Sequence, residues 1–94
     1  MGEAGSEKWS VRTEGVVWRR VGDDIILMDL GPSVYHSLRG VGADVWALLA
    51  DGPLPIGDVV SKLLDEYEVE QALLRSDVES FLQRLQAAGL ADLV

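Results

Sequence analysis

The chain contains no cysteine. That excludes a disulfide framework, thiolate metal ligation and a cysteine nucleophile together. It has one histidine, His36, so a zinc site, which draws on clustered His and Cys ligands, has nothing to form from. Basic residues are scarce, eight Lys and Arg against sixteen Asp and Glu, for a net charge of −8. Nucleic-acid affinity rests on cations that displace counterions from phosphate. Here Lys8, Arg12, Arg19, Arg20, Arg39, Lys62, Arg75 and Arg84 are scattered along the chain, and duplex DNA is not an expected partner. Long apolar runs are also missing, and none approaches the roughly 20 residues that a membrane helix needs. The opening Met1-Gly2-Glu3-Ala4 lacks the basic start and apolar stretch of a signal peptide. The expectation is a cytoplasmic protein.

Chemical motifs are absent in the same way. No Gly-x-Ser-x-Gly elbow accompanies His36, and the glycines form neither a phosphate loop nor a dinucleotide fingerprint. No carboxylate spacing matches a calcium loop. The neighbouring acids Asp65, Glu66, Glu68 and Glu70 read as a solvated helix end, and His36 as a strand residue. The sequence therefore predicts no catalytic residue, no metal and no cofactor. A phosphopantetheine carrier is also rejected: it needs a serine opening a helix in an all-helical bundle, and Ser37 lies in a strand pattern.

What is present suffices for one core. Ninety-four residues, 48% of them hydrophobic, make a single domain without staples. We assign residues 1–8 to a loose tail and 9–94 to that domain. Val16–Val21 reads as a strand, Gly22-Asp23-Asp24 as a turn, and Ile25–Leu30 as a second strand. Gly31-Pro32 punctuates again, and Ser33–Leu38 reads as a third strand. After Gly40 the apolar period lengthens to about 3.6. Val45, Trp46 and Leu49 mark a first helix over 42–51, and Ile56, Val59, Val60, Leu63, Leu64 and Tyr67 mark a second. Leu74, Val78, Phe81, Leu82 and Leu85 mark a third over about 72–88, closed by Gly89-Leu90 in Schellman fashion. Three strands followed by three helices (βββααα) predict an α+β domain of winged helix-turn-helix kind.

The stretch Tyr35-His36-Ser37-Leu38-Arg39-Gly40-Val41-Gly42-Ala43-Asp44-Val45-Trp46 resembles the PqqD family, named after the small subunit of pyrroloquinoline quinone biosynthesis. The likeness extends upstream through Leu27–Leu30, and downstream through Asp58-Val59-Val60 to Phe81–Leu90. Within the family it is most similar to the standalone recognition elements that bind the leader of a ribosomal precursor in lasso peptide biosynthesis. Arg39 and Val41 depart from the usual Asn and Thr, which removes the polar cap of the first helix and leaves that role to Gly40 or Gly42.

The resemblance implies a non-catalytic adaptor. Its partners would be a precursor leader peptide, a leader peptidase of cysteine-protease type and an asparagine-synthetase-like lasso cyclase. Such leaders typically carry a Tyr-x-x-Pro-x-Leu pattern. The leader would add as a strand along the third strand, at Ser33, Val34, Tyr35, His36, Ser37 and Leu38. The third helix would form the opposite wall through Leu74, Asp77, Val78 and Phe81. Two alternatives stay open at this point. One is a PqqD-like chaperone of another peptide-modifying pathway, such as a radical-SAM system; the other is a DNA-binding winged-helix regulator.

Overall fold

A computed structural model describes residues 7–94. The tail expected over 1–8 thus lies outside the described residues except for its last two. One of those, Lys8, is hydrogen-bonded through its backbone to Val94.

The expected βββααα order is present. Strands β2 (Val16–Val21), β3 (Asp24–Asp29) and β4 (Val34–Leu38) form an antiparallel sheet in the order β2-β3-β4, followed by α1 (Val41–Ala50), α2 (Ile56–Leu64) and α3 (Gln71–Ala87). Val21 pairs with Asp24 across a two-residue turn. Gly22 has φ +65° there, the positive first-position angle that a type II′ hairpin requires and that suits the sheet's twist. Alternation then sorts β3: Ile25, Leu27 and Asp29 are buried, whereas Ile26 is exposed.

Two further strands lie outside the expected set. The short β1 (Trp9–Val11) and β5 (Ala91–Leu93) pair antiparallel, with Trp9 opposite Leu93. Trp9 also exchanges backbone hydrogen bonds with Leu54 in the α1–α2 loop. Three-residue strands carry too little alternation to register as a pattern, and these two are joined only by a contact between the chain's ends.

The three helices and the inner face of the sheet enclose one core. Trp46 is fully buried and meets Trp18 edge to face at 6.4 Å between ring centres, a favoured aromatic geometry. At the end of α3, Leu90 N–H donates to the Leu85 carbonyl and Gly89 N–H to that of Gln86. With Gly89 at φ +76° and Leu90 fully buried, this is the expected Schellman end. Among the described residues, no helix is long and apolar enough to cross a membrane.

Candidate functional site

Strand β4 is one of the two edges of the three-stranded sheet, β2 being the other, since β3 occupies only one of its sides. Among the described residues the other side of β4 has no strand partner, and its backbone N–H and C=O groups there are a template for one more strand. The turn before it sets where pairing starts. Ser33, expected as the first strand residue, has φ +60°, and the extended chain begins one residue later, at Val34.

Along β4 the faces alternate as expected. Leu38 is buried and His36 half-buried, while Tyr35 and Ser37 point to the exposed face opposite Met28 and Ile26. Val34 shares the inner face but lies at its rim, 43% exposed.

Beside this edge runs a groove of about 570 Å³. One wall is the β4–α1 segment, with His36, Ser37, Leu38, Arg39, Val41 and Gly42. The other is one face of α3, with Asp77, Ser80, Phe81, Arg84 and Leu85, continued by its C-cap Ala88. The α3 positions recur at intervals of three and four, so they form a single stripe. The volume lies within the range of ligand pockets and holds a few side chains, not a whole peptide.

Two expected wall residues are placed elsewhere. Leu74 and Val78 are 1% and 0% exposed and belong to the core, so they offer no surface to a ligand. Asp77 and Phe81 line the groove where the expected stripe put them, and the wall is completed by Ser80, Arg84 and Leu85 in place of Leu74 and Val78. Apolar periodicity identifies the core face of a helix. The polar residues bordering that face carried the missing signal, read relative to the Leu74–Val78–Leu82 row rather than within it. Arg39, Val41 and Gly42 were also missed as lining residues; they follow the expected strand directly. Leu82 is fully buried, as expected for the core, and Leu85 reaches both core and groove.

The groove's fixed parts rest on α1. Its N-cap is Gly40 (φ +55°), with no side-chain capping bond, which resolves the choice between Gly40 and Gly42. Gly42 serves a different purpose: a Cβ there would lie 2.8 Å from the Phe81 ring. Asp44, in the first turn, accepts a hydrogen bond from the Tyr67 hydroxyl and faces Arg20 of β2 at 3.5 Å. This ties the start of α1 to both the sheet and the segment after α2, since α2 stops at Leu64 and Tyr67, expected on its stripe, lies beyond it. The bond to Asp44, then partial burial, pushes the Tyr67 phenol up to about 12.

A second polar cluster anchors the chain's ends. Arg12 donates to the Asp29 carboxylate at 2.6 Å and to the carbonyls of Gly89 and Glu14. The buried Asp29 also accepts from Gly31 N–H. Neither Arg12 nor Asp29 lines the groove, and the cluster reads as structural.

Comparison with known proteins places the family and the fold. The family described as Coenzyme PQQ synthesis protein D (PqqD) matches residues 24–91, which spans β3 to the start of β5. No curated protein matches the sequence. Among solved structures, TbiB1 in complex with the TbiA(beta) leader peptide is similar at 26% identity and a TM-score of 0.79, over 88% of this chain and 94% of that one. A lasso peptide synthetase B1 complexed with its leader peptide is similar at 25% identity and a TM-score of 0.75, over 89% of this chain and 96% of that one.

Proposed function

We propose that this chain, which belongs to the PqqD family, is a non-catalytic adaptor for the leader of a ribosomal precursor peptide. The leader adds as a fourth strand to the edge of β4, and every second side chain enters the groove against α3. The carrying observation is the conjunction of an unpaired sheet edge with a side-chain-sized groove along it. That is the form β-augmentation takes: backbone bonds give register and pockets give specificity. Two similar structures, each holding a leader peptide and each related over most of its length, support a lasso pathway over a radical-SAM one. A net charge of −8 weighs against the DNA-binding reading.

On this reading, the groove residues His36, Ser37, Leu38, Asp77 and Phe81 contact the leader's side chains. Val34 and Tyr35 flank it along the edge. The chain works in the cytoplasm beside a cysteine-type leader peptidase and an asparagine-synthetase-like cyclase. It raises the local concentration of precursor at those enzymes, which matters most at low substrate.

The experiment is a backbone scan. A synthetic leader carrying Tyr-x-x-Pro-x-Leu is N-methylated one amide at a time, and each version is titrated against the protein by calorimetry. Strand addition uses every second amide, so affinity should fall with a period of two across the segment that pairs with β4. Equal affinity for all methylated versions would remove strand addition, and no binding by the unmodified leader would remove the adaptor role.

A further inference from the structure

Two of the chain's eight cations, Arg39 and Arg84, line the groove from opposite walls. Among the described residues neither has a carboxylate within 4.0 Å, whereas Arg12, Arg20 and Arg75 each do. The groove's one acid, Asp77, stands seven residues before Arg84 on α3, about 10 Å away along the helix axis. In a chain with twice as many acids as bases, the fold brings two arginines to one cavity with neither in an ion pair among the described residues.

Arg84 has a partial structural account. It sits in the last turn of α3, where a cation suits the helix dipole, and its guanidinium lies 5.9 Å from the Phe81 ring centre, a cation–π distance that orients it. Arg39 has no such account.

We propose that Arg39 and Arg84 form a carboxylate-binding subsite, so that the leader recognised by this chain carries an Asp or Glu at a fixed register from its apolar anchors. Guanidinium groups suit carboxylates because their planar N–H donors match the two oxygens, and the ionised bond is stronger than a neutral one. The subsite rests on the adaptor reading and narrows it, from leaders in general to acidic leaders of one register.

The test is a selection from a random-sequence peptide library displayed on its own mRNA, run on the full chain and on the Arg39→Asn/Arg84→Gln double variant. Circular dichroism checks that both are folded. The wild-type pool should share apolar anchors plus an acid at one fixed position, and the double-variant pool should keep the anchors and lose the acid. Replacing that Glu by Gln in a selected peptide should weaken binding to the wild type about tenfold, and binding to the double variant less than about twofold. Apolar anchors with no acidic preference in the wild-type pool would overturn the subsite and leave the adaptor reading standing. A pool with no shared feature would overturn both.

Discussion

The Phe81 ring fills the space that a side chain on Gly42 would need, at 2.8 Å from where its Cβ would stand. The first turn of α1 and the middle of α3 thus meet backbone against ring, at the base of the groove that both line. In Gly42→Ala, the helix gains up to about 1 kcal/mol of propensity, set against an overpacking cost of about 1–3 kcal/mol. The ring's open direction is the groove. We predict a net stability loss of no more than about 3 kcal/mol in urea titrations, and at least about fivefold weaker leader binding as the displaced ring narrows the groove. Unchanged leader affinity would show that Phe81 does not shape the site.

The two faces of α3 should separate stability from binding. Val78→Asp places a carboxylate at a fully buried position and should cost at least about 3 kcal/mol of folding free energy. Ser80→Phe, on the exposed groove wall, should change stability by less than about 0.5 kcal/mol while abolishing leader binding by filling the cavity. Denaturant melts and peptide titrations on both variants make the comparison. A Ser80→Phe protein that binds normally would move the site off this wall.

Arg12 and Asp29 tie the N-terminal strand to the sheet. Removing the guanidinium in Arg12→Ala leaves a carboxylate that is 3% exposed with only the Gly31 N–H. The expected loss is about 2 kcal/mol by chemical denaturation, because bonds to charged groups contribute about 1.5–3 kcal/mol and Arg12 is partly solvated. Replacing both residues, as Arg12→Met/Asp29→Leu, should recover part of that loss, since an unpaired buried charge costs more than an apolar pair.

Tyr67 gives the pH signature. Its phenol is raised from 10.0 to about 12 by the bond to Asp44, so the folded state favours the neutral form. The associated stability is fully present below pH 10 and is lost as pH rises from 10 through 12. Ultraviolet titration of a Tyr35→Phe variant, which leaves Tyr67 as the one tyrosine, should show ionisation near 12. Adding Asp44→Asn should bring it down toward 10. A Tyr67 midpoint near 10 with Asp44 intact would mean that the bond does not hold in solution.

Much of the fold was legible because its signals are local. The strand pattern at Val16–Val21, the Gly22 hairpin and the 3.6-residue stripes of the helices each depend on neighbours within a few residues, as does the Gly89-Leu90 end. From these the sequence alone determined the α+β order, the approximate bounds of six elements and the position of β4. It also ruled out cysteine chemistry and a histidine-based metal centre. Only the tertiary structure decided what depends on distant partners. The pairing of β1 with β5 joins residues from the two ends of the chain, and the burial of Leu74 and Val78 follows from how α3 is rolled against the sheet. Which side of β4 remains open, and which arginines share its groove, were settled the same way. Periodicity tells which face of an element is apolar, but what that face meets is set by the packing of segments far apart in the chain.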